Sequence, residues 1–399
     1  MYTTLSFCQK IKTGEFMRIV VNATVTSQRE KTGIATFGTN LLKALKELDG
    51  VHSYCVFTLN DSDLEKMSNR EFDVHNFPGV FRLLPVEFSW ICWYLWHYTG
   101  FNLQLRSIKP DAYLSLDFSL PSYKNCPRVG MVYDLTPLLL EGAYPERFKT
   151  RYKMQVAHAV KNADRVITIS QSARKDILEY FGVDSQKVEV VYPGFDDNLF
   201  TAAKDPGTDK KILDRYGIGY PYMLFIGALE PKKNIIRLID AFEKVKKGGC
   251  IPHRLVIGGK RSWNDAAIFE KITTSTMRSE INYAGYLPNQ DLPALMRNAD
   301  LFIFPSLNEG FGIPPLEAMA CGTPVITSTV SSLPEVVADA GILIDPYNVE
   351  EMAAAIIRVL SSDDLRQAMG RKGLERAKLF SWRKAAHDML KIISEVSGR

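Results

Sequence analysis

The sequence predicts an α/β protein of two domains, each built on a doubly wound parallel sheet. Two observations lead to this fold class. Short apolar, β-branched runs alternate with segments of helical period along most of the chain. At 399 residues the chain is also too long for one ordinary hydrophobic core, and two domains of about 200 residues each are the natural expectation.

The individual elements follow from these patterns. The predicted strands are RIVVNA, SYCVFTL, AYLSLD, RVGMVYD, RVITIS, KVEVVYPG, YMLFIGAL, RLVIGG, INYAGYL, DLFIFPS and PVITS. Predicted helices between them include TFGTNLLKALKEL, SARKDILEYF, NIIRLIDAFEKVK and VEEMAAAIIRVL. Ligands of open α/β sheets bind at the carboxyl ends of the strands, so two facing sheets would place the site in the cleft between the domains.

The alternation lapses between Phe195 and Pro221, where the chain is polar and contains Gly and Pro. This stretch predicts a hinge between the two sheets. The predicted organisation is an extension or mis-assigned start at 1–16, an amino-terminal domain at 17–198, a carboxyl-terminal domain at 199–378 and a final helix at 379–399. Ser381 is the expected N-cap of that helix.

Composition excludes several classes of function. Apolar residues make up 46% and charged residues 24% of the chain, as in globular proteins. The net charge of +4 gives no indication of a nucleic-acid partner. The six cysteines form no CxxC pair, which favours reduced thiols and a cytoplasmic location. The apolar run from Phe88 to Phe101 is shorter than the roughly 20 residues of a membrane span, and its aromatic residues either fill a helix–sheet interface or face an acceptor or a membrane surface.

The most informative segment is SLNEGFGIPPLEAMACGTPVI, which follows the apolar run DLFIFPS. Glu309 lies on its Gly-rich turn, and two prolines fit the first turn of a helix. Glu317 is expected in that first turn, where the helix dipole favours a carboxylate. Gly322 and Pro324 end the helix. Backbone N–H groups at such a helix start bind anions, which predicts a diphosphate site at Gly310, Phe311, Gly312 and Ile313.

Two acids beside an anion site are suited to hydroxyl groups rather than to phosphate. Glu309 would bind a sugar and Glu317 a ribose. The alternative is a buried helix start whose Glu side chains only satisfy backbone donors. Two Gly and two acids exceed what helix capping needs, which favours a functional site.

Glu309 and Glu317 match the E-x7-E pattern of retaining glycosyltransferases with GT-B architecture, in the large family usually numbered four. GALEPKKN resembles the donor-phosphate loop of that family, and YAGYLPNQDLPALMRNADLFIFPS resembles its base-binding segment. VYDLTPL, VITISQSARKDI and VVYPGFDDNLF resemble its amino-terminal domain. The resemblance extends from about Met17 to Val396. It implies two facing Rossmann-like domains, an acceptor domain followed by a nucleotide-sugar donor domain, with the final helix packing back on the first.

The resemblance also implies catalytic roles for Glu309, Lys233, Lys232 and Asp134. The two lysines would stabilise the departing diphosphate, since a cation at a helix start is unfavourable unless an anion binds there. The family often has Arg at the position of Lys232, and many members have His at the position of Tyr133. The implied donor-binding residues are Gly33, Gly227, Tyr286, Leu287, Gly310, Phe311, Gly312, Ile313 and Glu317.

Several of these residues also have plainer interpretations. Gly33 fits an ordinary loop glycine, and Asp134 fits a cap for the segment that follows it. Ser172 is either a cleft residue or an N-cap. Lys260 and Trp263 either border the base and sugar or lie at the surface.

Two other features resemble functional sites only in part. Asp61 and Asp63 form a DSD triplet that resembles the metal-binding DxD pattern of the other glycosyltransferase architecture, but here it precedes LEKM and predicts a helix cap. The basic run FKTRYK predicts a solvated helix face. Peripheral contact with the inner face of a membrane stays open, because family members often act on lipid-linked acceptors.

The function implied is transfer of a hexose, with retention, from a nucleotide-diphosphate sugar to a saccharide or lipid-linked glycan in polysaccharide or glycoconjugate biosynthesis. The expected donor is UDP-glucose-like or GDP-mannose, with UDP slightly favoured. Neither a cofactor nor a metal is expected. The alternatives are a non-catalytic nucleotide-sugar-binding protein and another GT-B enzyme, such as a sugar-nucleotide epimerase or a phosphorylase.

Overall fold

The computed structural model describes residues 16–27, 33–59, 61–76, 99–140, 142, 144–249, 251–262 and 264–398. Residues 1–15 of the predicted extension, most of the aromatic run after Phe88, and Trp263 lie outside the described residues. The chain divides into two compact units. The first comprises the described residues up to Leu138, Tyr144–Pro193 and the segment from Trp382, and the second comprises Gly194–Ser381 with a short segment from Leu139.

The first unit contains one parallel sheet of seven strands in the order β3-β2-β1-β4-β5-β6-β7. These strands are β1 (Arg18–Asn22), β2 (Ser53–Thr58), β3 (Phe72–Asn76), β4 (Ala112–Ser115), β5 (Arg128–Met131), β6 (Arg165–Thr168) and β7 (Val188–Val190). Its helices up to residue 181 are α1 (Gly33–Leu48), α2 (Ser62–Glu65), α3 (Gly100–Ile108), α4 (Thr136–Leu139), α5 (Glu146–Asn162) and α6 (Gln171–Phe181).

The second unit contains a parallel sheet of six strands in the order β10-β9-β8-β11-β12-β13. They are β8 (Tyr222–Ile226), β9 (Arg254–Gly258), β10 (Ile281–Gly285), β11 (Leu301–Phe304), β12 (Val325–Ser328) and β13 (Ile342–Ile344). The helices are α7 (Pro206–Arg215), α8 (Ile235–Lys247), α9 (Ala266–Thr274), α10 (Leu292–Arg297), α11 (Ile313–Ala320), α12 (Leu333–Val337), α13 (Val349–Leu360) and α14 (Asp363–Ala377).

The last helix, α15 (Trp382–Ser397), packs in the first unit against α1. Its buried Ala386 and Met389 join a core with Ile19 and Val21 of β1, whereas Val20 of β1 faces a second core that includes residues of α3, α5 and α6. Successive strand residues point to opposite faces of a sheet. Apolar cores on both faces therefore give the doubly wound arrangement that the alternating sequence predicts.

Every predicted strand is present, and two further strands, β3 and β13, were not predicted. The polar stretch that was predicted to be a hinge contains a helix, α7. Asp205 caps this helix by accepting a hydrogen bond from the backbone N–H of Thr208, 3.1 Å away. Buried Asp209 on the same helix forms an ion pair with Arg297. The helix was overlooked because only one of its faces is buried and its few apolar residues show little periodicity.

The local caps partly follow expectation. Asp61 accepts hydrogen bonds from the backbone N–H groups of Asp63 and Leu64, so the DSD triplet caps α2 as predicted. The N-cap of α6 is Ser170 rather than Ser172, which lies inside the helix. Among the described residues, no helix combines the length and the apolar character that crossing a membrane requires.

Candidate active site

The predicted donor residues of the second unit meet at the point where its strand order reverses. β8 and β11 are neighbours, but the chain continues from β8 towards β9 and from β11 towards β12, on opposite sides. The loops that follow these two strands therefore diverge and leave a crevice at the carboxyl edge of the sheet, where ligands of open α/β sheets bind. The first loop carries Lys232 and Lys233, and the second carries Glu309.

A buried ion pair joins these two loops. Lys233 Nζ donates a hydrogen bond to Glu309 Oε1 at 2.5 Å, and the two side chains are only 10% and 11% exposed. The ammonium also lies 4.7 Å from the centre of the Phe304 ring, a favourable cation–π position. Burial alone would raise the pKa of the Glu309 carboxyl, but the charges of Lys233 and Lys232 outweigh it and hold that pKa below its ordinary value. Glu309 is therefore an anion at neutral pH.

Lys232 is anchored through its backbone and remains close to the same crevice. Its carbonyl accepts a hydrogen bond from the Leu307 N–H at 2.8 Å, which ties the loop after β8 to the loop after β11. Its ammonium lies 3.6 Å from Glu230 Oε1, and both side chains are mostly buried. The structure thus brings two lysine ammonium groups and the carboxyl groups of Glu230 and Glu309 to one end of β8 and β11.

Asn234 holds three loops together beside this ion pair. Its side-chain amide donates hydrogen bonds to the carbonyls of Pro305 and Pro346, at 3.1 and 2.7 Å. Pro305 follows β11 and Pro346 follows β13. The residue is 3% exposed and has a left-handed backbone with φ of 59°, which Asn tolerates better than most residues. It lies between the two lysines and α8, so its conformation fixes the backbone from which the Lys233 side chain extends.

The Gly-rich turn before α11 is held by two serines that the sequence did not single out. The Ser332 hydroxyl shares its one proton between the carbonyls of Glu309 and Phe311, at 2.9 and 2.7 Å, and Ser331 Oγ accepts from the Glu309 N–H at 3.0 Å. Gly312, at φ of 111°, supplies a conformation that residues with a side chain rarely adopt. Helix α11 then begins at Ile313, and no side chain caps it.

This turn has the composition of an anion site. Within the described residues, no protein acceptor pairs with the backbone N–H groups of Gly310, Gly312 and Ile313. Unpaired donors at a helix start bind anions through direct hydrogen bonds and through the helix dipole. The predicted phosphate-binding turn is therefore geometrically available, although its role in donor binding stays a prediction.

The expected position of Glu317 in the first turn of α11 is wrong. Glu317 is the fifth residue of α11 and not part of its first turn, so the helix dipole does not favour its charge there. Burial, reinforced by the negative charge of Asp196, raises the pKa of the Glu317 carboxyl to about 8. The two acids of the E-x7-E pattern thus differ in protonation at neutral pH, because only Glu309 has lysine partners.

At the ends of β8, β9 and β10, backbone groups rather than side chains line the carboxyl edge of the sheet. A Cβ at Gly259 would lie 1.8 Å from the carbonyl oxygen of Gly227, so the ends of β8 and β9 approach each other as only Gly allows. Leu287 is buried against Gly258, whereas Tyr286 is 67% exposed. Lys260 lies in the loop after β9, where its carbonyl accepts a hydrogen bond from the Leu229 N–H. The role of Gly227, Tyr286 and Leu287 in donor binding stays a prediction.

Gly33 and Asp134 belong to the first unit. Gly33 is the exposed first residue of α1. Asp134 accepts a hydrogen bond from the Thr136 N–H at 2.8 Å, as its interpretation as a cap predicts. Tyr133, by contrast, is buried, and its hydroxyl donates to the Leu116 carbonyl at 2.8 Å. Tyr133 therefore packs in the core, with its hydroxyl paired inside the first unit.

Three residues of the site, Asn234, Ser331 and Ser332, were missed from the sequence. A weak signal existed for each. Asn directly after two lysines at a helix start is typical of a left-handed junction, and Ser-Ser before Leu-Pro is typical of a helix N-terminus. Neither signal reveals that these three side chains form hydrogen bonds to the backbone of other loops. Within the described part of the chain, no three His, Cys, Asp or Glu side chains form a group that could hold a metal ion.

Comparison with known proteins identifies the family. The model for "Glycosyl transferases group 1" matches residues 210–376, and that for "Glycosyltransferase Family 4" matches residues 31–199. The O-antigen chain mannosyltransferase B of Escherichia coli is 32% identical over 280 residues, which cover 70% of this chain and 72% of that protein. The chain is a family 4 glycosyltransferase. The resemblance drawn from the sequence is therefore confirmed.

Another relative of this family 4 glycosyltransferase and two solved structures of similar fold show how far the likeness extends. The serotype-specific mannosyltransferase WbdA of Escherichia coli is 28% identical over 302 residues, 72% of this chain but only 37% of that protein. Anabaena Alr3699/HepE, solved in complex with UDP and glucose, is 20% identical with a TM-score of 0.70, over 95% of this chain and 99% of that one. Sucrose-phosphate synthase (tll1590) from Thermosynechococcus elongatus gives 20% identity and a TM-score of 0.75 over the same shares. The predicted GT-B fold is confirmed.

Replacement of Glu317 by Gln should change how stability depends on pH. The native carboxyl titrates near pH 8 and the unfolded one near pH 4.3, so between these values the native state binds more protons. Its contribution to the free energy of unfolding is therefore full below about pH 4 and is lost as the pH rises to 8. We expect E317Q to match the wild type near pH 4 and to exceed it at pH 9 by several kcal/mol, about 5 at most, in urea unfolding. E375Q, an exposed change on α14, is the control. Parallel pH curves for E317Q and the wild type would refute the raised pKa.

Replacement of Asn234 by Asp should destabilise the second unit. A carboxylate donates no hydrogen bond, so the carbonyls of Pro305 and Pro346 would lose their donor and face a negative charge. We expect a loss of about 2–4 kcal/mol in the free energy of unfolding, measured by denaturant titration. N234G keeps the left-handed backbone and should lose less. The exposed change N198D is the control, and a loss in N234D no larger than in N198D would contradict the clamp.

Proposed function

We propose that the chain transfers a hexose, with retention of configuration and without a metal, from a nucleotide-diphosphate sugar to a saccharide acceptor. The observation that carries this proposal is the buried Lys233–Glu309 pair at the strand-order reversal of the second unit. A buried ion pair contributes little to stability by itself, because desolvation offsets the attraction. Its position beside unpaired N–H groups of a helix start supports a role in substrate binding.

In this proposal the lysines and the helix start stabilise the leaving group. Negative charge develops on the diphosphate as the bond to the sugar breaks, and charged groups already in place stabilise it without reorganisation. Lys233 and Lys232 supply the positive charge, and the Gly310, Gly312 and Ile313 N–H groups supply the hydrogen bonds. In the structure without substrate, the Lys233 ammonium pairs with Glu309. A bound diphosphate would therefore share this ammonium with the Glu309 carboxylate.

Glu309 and Glu317 would both bind hydroxyl groups, but they would do so in different protonation states. Glu309 is anionic and held by Lys233, so it is suited to accept hydrogen bonds from the sugar rather than to attack its anomeric carbon. Glu317 would address the ribose. The acceptor hydroxyl attacks on the side from which the diphosphate leaves, and the departing phosphate oxygen takes its proton. No dedicated protein base is needed in this scheme.

The relatives support a mannosyl donor and a polysaccharide acceptor. Two of them are named as mannosyltransferases, and one of these acts in O-antigen chain synthesis by its name. We therefore place GDP-mannose first among the donors, ahead of the UDP-hexose that the sequence slightly favoured. The structural relative with bound UDP and glucose supports the second choice.

The proposed location is the cytoplasm, in accord with the free thiols of Cys55, Cys126 and Cys321. Peripheral membrane contact stays a prediction. Helix α5 carries the basic run, together with Phe148 and Met154, which are 45% and 69% exposed. Exposed apolar residues among basic ones are compatible with an anionic lipid surface.

Replacement of Lys233 by Gln tests the leaving-group role. We expect the turnover number for donor consumption, with GDP-mannose or UDP-glucose, to fall about 100- to 1,000-fold, the usual effect of losing one preorganised charge-stabilising group. K244Q is the matched control. It removes another lysine of the same region that contacts a glutamate, Glu350, at 2.5 Å, but its side chain is exposed and lies at the far end of α8. Equal activity of K233Q and K244Q would overturn the assignment.

Donor, stereochemistry and metal independence are tested together on the wild type. We expect thermal stabilisation by one nucleotide class, and a product whose anomeric configuration by NMR equals that of the donor. Activity in excess EDTA should equal that in Mg²⁺. Inverted product, or activity that EDTA abolishes and Mg²⁺ restores, would refute the corresponding part of the proposal.

A further inference from the structure

The Ser332 side chain bonds to the Gly-rich turn of the second unit rather than to its own helix. Ser332 precedes α12 in the N-cap position, where a serine oxygen usually accepts a hydrogen bond from a backbone N–H of the first turn. Among the residues that the structure describes, this side chain caps no helix. Its fully buried hydroxyl instead shares its proton between the carbonyls of Glu309 and Phe311. Helix capping therefore does not account for this serine.

The two carbonyls bound by Ser332 fix the directions of two backbone N–H groups. The peptide bonds of the turn are trans, and in a trans peptide the N–H points away from the carbonyl in the same plane. The Glu309 carbonyl shares its peptide with the Gly310 N–H. The Phe311 carbonyl shares its peptide with the Gly312 N–H. Since both carbonyls point towards the Ser332 hydroxyl, both N–H groups point away from it.

The strand order indicates which side of the turn these N–H groups face. β12 lies on one side of β11, and β8 lies on the other. Ser332 follows β12, so it contacts the turn after β11 from the β12 side. The Gly310 and Gly312 N–H groups therefore face the β8 side, where the loop carries Lys232 and Lys233. The two donors and the two cations are thus directed at one crevice.

Packing against α12 and the start of α11 complete the arrangement. A Cβ at Gly312 would lie 2.8 Å from Leu333 Cδ2, so α12 also contacts the turn through apolar atoms. The Gly312 carbonyl accepts a hydrogen bond from the Leu316 N–H at 3.4 Å, which directs the Ile313 N–H outwards from the helix start. Ile313 thus supplies a third donor without help from Ser332. The serine controls the other two N–H groups, which no protein acceptor pairs with in the described part of the chain.

We propose that Ser332 is a positioning residue of the donor site, whose hydroxyl aims the Gly310 and Gly312 N–H groups at the diphosphate. This inference rests on the proposed function, in which these N–H groups stabilise the leaving group. A residue that only stabilises the fold would affect the binding of every ligand alike. A residue that orients phosphate-binding donors affects the charged part of a nucleotide and leaves binding of the base and ribose unchanged. It also affects turnover, because negative charge develops on the diphosphate as its bond to the sugar breaks.

The test compares GDP with guanosine and UDP with uridine, by calorimetric titration of the full chain. We expect S332A to bind the nucleoside diphosphate that the wild type prefers at least about tenfold more weakly, and to bind the matching nucleoside with unchanged affinity. The turnover number for donor consumption should also fall at least about tenfold, because the donors are no longer held in place for the leaving group. S332G lacks the hydroxyl but keeps a residue that N-cap positions accept, so it should behave like S332A.

T323V is the matched control, because it also removes a buried hydroxyl that donates to a carbonyl. Thr323 is 2% exposed, its hydroxyl lies 2.7 Å from the Met296 carbonyl oxygen, and it precedes β12 at the opposite edge of the sheet. The thermal midpoint is measured for every variant. Equal diphosphate affinity in S332A and T323V, or a loss of nucleoside affinity in S332A as large as its loss of diphosphate affinity, would overturn the inference alone. A wild type that binds neither GDP nor UDP would instead overturn the proposed function, so the two failures are distinguishable.

Discussion

The contact between Lys233 and Glu309 is the interaction around which the second unit's site is built. Two opposite charges that are about nine-tenths buried cannot be separated without leaving one of them unpaired in a medium of low polarity. The surrounding contacts keep them together. Phe304 lies beneath the ammonium, the Leu307 N–H holds the Lys232 carbonyl, and Asn234 fixes the backbone between Lys233 and α8. These contacts hold the loops after β8 and β11 in fixed positions before any substrate binds.

This pair also explains why two glutamates of one short segment behave differently. Glu309 and Glu317 are both buried enough for desolvation to raise their pKa values. Glu309 has two lysines nearby and stays ionised, whereas Glu317 has the acid Asp196 as its main charged neighbour and retains its proton at neutral pH. A fixed anion suits the part of a substrate where charge changes during reaction. A neutral carboxyl can both donate to and accept from hydroxyl groups that take no part in bond breaking.

Most of the fold could be predicted from the sequence because central parallel strands are buried on both faces. β1, β8 and β11 are continuous apolar runs and stand out from their surroundings. The two missed strands, β3 and β13, are at sheet edges. β3 alternates with Asp, His and Asn, and β13 has three residues, so neither leaves a recognisable apolar run. Helix α7 was missed for a similar reason, since only Asp209 and Ile212 on it are buried.

The polar residues at the two sheet edges differ in how far the sequence reveals them, and the reason is chemical. A diphosphate needs close backbone approach, free N–H groups and cations, and these requirements leave Gly, Pro and Lys at fixed spacings that can be recognised without a structure. The polar network at the ends of β1 and β4 needs only acceptors and donors of ordinary polarity, which Asn22, Ser115 and Asp117 supply from strands far apart in the chain. Each of these residues alone is typical of a strand end or a turn. Their hydrogen bonds form only when the parallel sheet brings the ends of β1 and β4 together, so this network follows from topology and not from any local motif.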